Sequence, residues 1–444
     1  MNEQLPLEII HPKAAGIDVG SKSHFVAIGQ GEDQVREFGV NTQDHNHLIS
    51  WLVESKISTI AMESTGNYWH TLFTALQVAG FEVLLVNGRD VKNLKGKKSD
   101  VMDCQWIQKL NSLGLLSASF LPDEFSRKLK SYFLHRQHLI KQCAKYTKKM
   151  LNALRLMNIR LDIAISDING KTGRVIIKAI IEGERDPKVL AAFADVRVKK
   201  SQEEIALALE GEWREDLIFL LAEGLSIYQN FRERLQACDA QIKSLLERHI
   251  SLNPKNLPPM GKVKKRKPNK NSLSFDLRPY AYHILEVDLY QIEYISHTSV
   301  LSILSIVGKG IEKFPSSKRF VSWLRLAPNN KISGGRVISS RIPKGKNPLS
   351  VTLRQAANTI GNSRSYPLKP FFARIAYRKG RGAAITATAR KLAVIIFNMM
   401  TYKEPFMPEL IESHRIERSR KLKQVRKSIR QLGLTRTDWD SLCT

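Results

Sequence analysis

The chain has 444 residues, 43% of them hydrophobic and 25% charged, with 70 lysines and arginines against 42 aspartates and glutamates, a net charge of +28. At about 150 residues per domain this is two or three globular domains with ample core, which excludes wholesale disorder. The charge excess points to a polyanionic partner, either nucleic acid or an acidic membrane surface.

The first residues, MNEQLPLEIIHPK, lack the basic-then-apolar order of a signal peptide. From Ala14 to Ile28, AAGIDVG and HFVAI read as strands around a turn at Ser21 to Ser23, and Val35 to Val40 reads as a third strand. A helix near His45 to Glu54 leads to the apolar run ISTIAME. A helix from Tyr68 to Val78, stopped by Gly80, and the buried strand FEVLLVN follow. Three strands in a meander, then alternating helix and strand, predict a mixed α/β sheet with helices against it, the order of ribonuclease H-like domains.

GRDVKNLKGKKSD is a Lys-rich loop ahead of a helix over about Asp100 to Leu113. Arg127 to Arg160 reads as one long helix, rich enough in Lys, Arg and His to favour nucleic-acid contact over a merely solvated face. Between Leu221 and Leu245 apolar residues recur every three or four positions. That coiled-coil-like stripe suits an intramolecular bundle and self-association equally well. Asn253 to Asn271 is a basic linker by composition, followed by a mostly helical domain and a basic, helical tail. The expected divisions are 11–125, 126–252, 253–271, 272–403 and 404–444. The best apolar run, Leu392 to Met400, is about half the length of a spanning helix. Cys104, Cys143, Cys238 and Cys443 form no CxxC pair, so neither a disulfide framework nor a thiolate zinc site is expected. A soluble, cytoplasmic protein with no membrane partner is the expectation.

In a chain this basic, an acid at the end of an apolar strand needs a reason. Asp18 lies in GIDVGS, and Glu63 ends ISTIAME. Neighbouring strands would put both carboxylates at one sheet edge, while Asp100 and Asp103, three apart, share a helix face. Four converging carboxylates repel one another unless divalent cations neutralise them, and such hard oxygen ligands suit Mg²⁺ in phosphoryl transfer. Each acid also has a local alternative. Asp18 would cap a turn, Glu63 would be a surface residue, and Asp100 and Asp103 would sit at a helix N-terminus behind Ser99 as N-cap.

A second cluster runs from Arg319 to Ile360. Ser333 precedes Gly334 and Gly335, which let backbone approach a ligand closely. Lys331, Arg336, Arg341, Lys344 and Lys346 around it suit phosphate oxygens. A serine hydroxyl needs a base or metal to become a good nucleophile, and no His lies nearby in sequence, so a Ser-His-Asp triad is not supported. Alone, SGG fits a phosphate-binding turn as readily as a nucleophile.

GIDVGS, AMESTGNYW and KKSDVMDCQW resemble the three blocks of the DEDD transposases of the IS110 insertion-sequence family, whose N-terminal domain is RuvC-like with a ribonuclease H fold. SWLRLAPNNKISGG, KGKNP, LRQAA and AITATARKLAVIIF resemble the C-terminal transposase domain of the same family. The resemblance covers roughly Ala14 to Arg160 and Ser296 to Lys403. It places Asp18, Glu63, Asp100 and Asp103 on the family's metal-binding acids and Ser333 on its catalytic serine; Ser339, Ser340 and Ser350 do not match. Cys104 stands where Ala is usual. YQIEYISHTSVLSIL lacks the glycine that family members carry in a hairpin before the helix near Thr298.

The resemblance implies a bacterial recombinase, nucleoid-associated when active, that moves its own insertion sequence. It implies Mg²⁺, with Mn²⁺ able to substitute, double-stranded donor and target DNA, and a phosphoserine intermediate. It further implies a structured non-coding guide RNA and a homo-oligomer, dimeric or tetrameric on DNA, with active sites assembled from different protomers. A RuvC-like nuclease using metal-activated water is the nearest competitor. An actin- or sugar-kinase-like ATPase would need a second Asp-x-Gly loop that the chain lacks. A purely architectural nucleic-acid binder is the third alternative.

Overall fold

The computed structural model describes residues 8–64, 66–91, 99–263, 268–343, 345 and 347–407, in two compact units divided between Leu121 and Pro122. Lys344, Lys346, Cys443 and the basic tail lie outside the described residues.

In the first unit, β1 (Ala14–Val19), β2 (His24–Ala27) and β3 (Val35–Phe38) form an antiparallel meander. β4 (Thr59–Glu63) pairs parallel with β1, and β5 (Glu82–Val86) parallel with β4, giving the order β3-β2-β1-β4-β5. Side chains alternate across a strand, so each strand supplies two layers. One layer, with Ile17, Ile60 and Met62, packs against Leu48 and Leu52 of α1 (Thr42–Glu54) and Leu72 and Leu76 of α2 (Trp69–Val78). On the other face Ala61 and Val86 meet Val91, which ends the short α3 (Gly88–Val91), and Ile107 of α4 (Asp100–Ser112). This mixed sheet is consistent with a ribonuclease H-like domain. The helix expected from His45 starts three residues earlier. There the Asp44 carboxylate accepts the Asn41 backbone N–H at 2.9 Å, a capping contact that apolar periodicity does not reveal.

The second unit is built on an antiparallel pair of long helices, α5 (Glu124–Leu156) and α10 (Glu215–Leu252). The C-terminal half of α5 and the N-terminal half of α10 share one core with α6 (Leu161–Ala164), α7 (Lys171–Ile181), α8 (Pro187–Ala192) and α9 (Gln202–Leu209). Their other halves enter a larger core with α11 (Arg278–Leu285), α12 (His297–Ile306), α13 (Ser317–Trp323), α14 (Pro348–Asn362) and α16 (Arg381–Tyr402), and α15 (Lys369–Lys379) packs against α14 and α16. Between α13 and α14 stands the hairpin of β6 (Lys331–Ser333) and β7 (Arg336–Ser339).

One open alternative is decided here and one expectation is corrected. Leu221, Leu225, Tyr228, Leu235, Cys238 and Ile242 are buried within the chain, so the stripe serves the in-chain bundle and is not free to form a coiled-coil dimer. The apolar run near Leu392 is part of a 22-residue helix, long and apolar enough by composition to cross a membrane. Leu392, Ala393, Ile396, Phe397 and Met400 of that helix lie in the core, which accounts for its apolarity.

Arg136 and Asp239 are both buried and lock α5 to α10, with Nε to Oδ1 at 2.6 Å. Arg136 also donates to the carbonyls of Asn271 (3.1 Å) and Ser272 (3.0 Å), and Asp239 accepts the Ser274 N–H at 3.0 Å. The far end of the linker is thereby fixed to the helix pair.

Candidate active site

β1 and β4 run in parallel with Ile17 beside Met62, so the next residues, Asp18 and Glu63, stand side by side at the C-terminal ends of their strands. Alternation puts Asp18 on the same face as Gly16, the face that α4 covers. A Cβ on Gly16 would lie 2.1 Å from Gln108 N and 2.5 Å from Cys104 O, so glycine is what lets the helix backbone rest on the strand. Gln108 Nε2 donates to Ala14 O at 3.2 Å, and Asn111 Nδ2 to Ala15 O at 3.1 Å. Gln30 Nε2 donates to Gln105 O (3.0 Å) and Gln108 Oε1 (2.6 Å). Held this way, α4 runs back along β1 and brings its first turn, with Asp100 and Asp103, to the Asp18 end. Ser99 Oγ caps that turn by accepting the Met102 N–H at 3.2 Å. The helix N-terminus favours acids at Asp100 and Asp103, and the seat of α4 brings that turn near enough for both charges to act on Asp18.

The carboxylates share one field. Burial, then the negative charges of Glu63, Asp103 and Asp100, push the Asp18 carboxyl up to about 6 against one lowering backbone hydrogen bond from Val19. Among the described residues no three acids, histidines or cysteines stand close enough together to hold a metal ion as they are. An oxygen-only donor set whose mutual repulsion raises the central carboxyl is nevertheless the chemistry that suits a hard divalent cation. Cys104 is a packing residue: burial pushes its thiol up to about 12, and Sγ donates to Val101 O at 3.1 Å.

Ser333 is the last residue of β6 and lies directly across from Arg336, with Ile332 across from Val337 and Lys331 from Ser339. Ile338 is the extra, bulged residue. Gly334 and Gly335, at φ +52° and +73°, make the two-residue turn between the strands, as expected of type I′. Both φ values are left-handed, so the turn itself calls for glycine, and a Cβ on either would point into open space with nothing within 4 Å. Ser333 and Arg336 share one face of the ribbon, Ile332 and Val337 the other. Lys331, Arg336 and Arg341 are all exposed.

Several positioning residues escaped the sequence reading: Gly16, Gln30, Gln108 and Asn111. A signal existed, because Cys104, Gln108 and Asn111 follow Asp100 at helical spacing. The segment before α12, where the sequence lacks the expected glycine, is a turn rather than a hairpin; it contains Tyr294 at φ +70°, a left-handed position taken by a bulky residue whose ring packs edge-on against Tyr366 at 5.1 Å.

Two family models match the chain. A transposase model for the DEDD domain of IS110 matches residues 15–159, which contain all four acids. A model described as transposase IS116/IS110/IS902 family matches residues 288–373, which contain Ser333. No curated protein matches. A DEDD transposase domain implies dependence on a divalent metal, typically Mg²⁺. The chain thus carries IS110 family transposase domains, which support an insertion-sequence transposase that cuts and rearranges DNA.

Proposed function

We propose that the protein moves its element by cutting and rejoining DNA through a covalent phosphoserine at Ser333. The observation that carries this is the display of Ser333 at an exposed hairpin tip, cross-strand from Arg336, inside the segment matched by the transposase model. Ser333 Oγ attacks phosphorus and its proton passes to solvent. The bond from phosphorus to the 3′ oxygen breaks, and that oxygen takes a proton from solvent and leaves as a 3′-hydroxyl. The phosphoserine conserves the broken ester, so rejoining needs no external energy source. Lys331, Arg336 and Arg341, with Lys344 and Lys346, attract the phosphate oxygens and disperse charge developing on them. Gly334 and Gly335 hold the tip that presents the nucleophile.

Asp18, Glu63, Asp100 and Asp103 would hold Mg²⁺, or Mn²⁺ in its place, which when bound supplies a Lewis acid at the scissile phosphate. A non-coding guide RNA pairs with donor and target DNA, so base pairing reads sequence while the basic protein grips backbone. The working form is a homo-oligomer.

The test uses DNA carrying the element's ends with Mg²⁺ present. Wild-type protein leaves a denaturation-resistant protein–DNA adduct, and Ser333→Ala leaves none while DNA binding is unchanged. Cut ends free of protein, made equally well by Ser333→Ala, would assign the attack to water and the chain to the nuclease alternative. A discrete co-purifying RNA with loops complementary to the element's ends supports guidance; heterogeneous RNA, or none, removes it.

A further inference from the structure

From Lys313 to Lys403 the chain contains 19 lysines and arginines and no aspartate or glutamate. Within this acid-free stretch α15 ends at Gly380, whose φ of +81° turns the chain into α16. The corner so formed displays Arg374, Tyr377, Arg378 and Arg381, all exposed. Tyr377 is 94% exposed, more than any other aromatic among the described residues. Such a ring normally buries its apolar faces.

Two of the cations around it are held in place, and among the described residues none of the three forms an ion pair with an acid. Arg374 lies 5.8 Å from the Phe371 ring centroid, and Arg381 5.7 Å from that of Phe372. Arg381 also donates to Asn358 Oδ1 at 2.7 Å and Asn362 Oδ1 at 2.6 Å. Rings and amides orient these guanidiniums but leave their charge intact, which prepares them for an anionic partner. Arg374, three residues before Tyr377, shares its side of α15, and Arg378, the next residue, lies about 100° further round the helix. Beside the corner lies an apolar groove of about 1070 Å³ that includes Phe371 and Ile375 and is edged by Lys379 and Arg390.

A flat open ring between uncompensated cations matches a nucleotide whose base is unpaired. Duplex DNA offers phosphates to the cations but keeps its bases stacked inside. We propose that the α15–α16 corner binds single-stranded nucleic acid, an unpaired base stacking on Tyr377 while Arg374, Arg378 and Arg381 hold flanking phosphates. This deepens the proposed function, and rests on it for the source of the strand, a melted DNA end or an RNA loop.

The experiment is fluorescence anisotropy on the full-length protein with labelled oligo-dT, oligo-rU and a duplex of equal length, across a salt series. Tyr377→Ala should weaken single-strand binding by about 5- to 150-fold, the range of one base stack, without changing its salt dependence. Tyr377→Phe should bind like wild type, and duplex binding should be the same in all three proteins. Arg378→Gln should flatten the log–log salt slope by about 0.7 on the single strands. Because Tyr377 packs on little, its variants should melt like wild type. Single-strand binding untouched by Tyr377→Ala, or duplex binding lost in parallel, overturns the proposal. Tighter binding of rU than dT assigns the strand to RNA, and the reverse to DNA. A serine adduct with no Tyr377 effect refutes this inference alone. A Tyr377 effect with no serine adduct refutes the phosphoserine alone.

Discussion

Asp18 carries a proton more readily than an ordinary aspartate, since burial and three acidic neighbours raise it from 3.8 to about 6. In the folded chain it therefore binds more protons than in the unfolded chain between those values, and metal-free stability falls as pH rises through that window. A bound divalent cation removes the penalty. Thermal melts should show stabilisation by Mg²⁺ at about pH 7.5 that shrinks towards pH 5 as protons compete for the same oxygens. Asp18→Asn should raise the metal-free Tm at the higher pH and abolish the Mg²⁺ response; an equal response at both pH values would count against the site. At the hairpin tip, Gly335→Val would force a β-branched residue into φ near +73°, at a cost of about 1–2 kcal/mol. The hairpin is exposed and outside the cores. The expected result is loss of the serine adduct with little change in Tm, read by gel and calorimetry on the same preparation.

At the scale of elements, the seat of α4 decides where two of the four acids go. Gly16→Ala would push a methyl into the backbone of α4, an overpacking cost of about 1–3 kcal/mol. The Mg²⁺-dependent rise in Tm should disappear with it, although no carboxylate has been changed. Asp239→Ala leaves the Arg136 guanidinium buried without its carboxylate and should destabilise the second unit by about 3–5 kcal/mol in a denaturant titration. The strands of the first unit were legible in the sequence because alternation and turn residues are local signals. Asp18 and Glu63 stood out because an acid at the end of an apolar strand breaks its pattern, and Asp100 and Asp103 because their spacing of three puts them on one helix face. Their seat was not, since Gln108 reaches Ala14 across 94 residues and nothing local announces that pairing. The stripe on α10 was equally ambiguous. A heptad-like row says that a helix faces it, not which one, and the matching face of α5 (Leu129, Phe133, Leu139 and Met150) was hidden among lysines and arginines.

At the scale of the whole molecule the charge of +28 is unevenly placed, with the long acid-free stretch enclosing both the serine hairpin and the Tyr377 corner. Phosphate contacts release counterions, so affinity for DNA should fall steeply with salt. Replacing Arg336 and Arg341 together by Gln should reduce the log–log slope on duplex DNA by about 1.8, if each contributes one phosphate contact. The loss should be similar for cognate and unrelated sequences, because such contacts position the duplex without reading it. Filter binding on both sequences across a salt series measures this.

The α5–α10 pair also sets a timetable for synthesis. Leu129, Phe133 and Leu139 on α5 leave the ribosome early, yet the residues that cover them run from Leu235 to Met400. At translation rates of about 5–20 residues per second, that apolar face waits from roughly 5 seconds to nearly a minute for its first and last partners. A nascent chain so exposed is a natural client for chaperones.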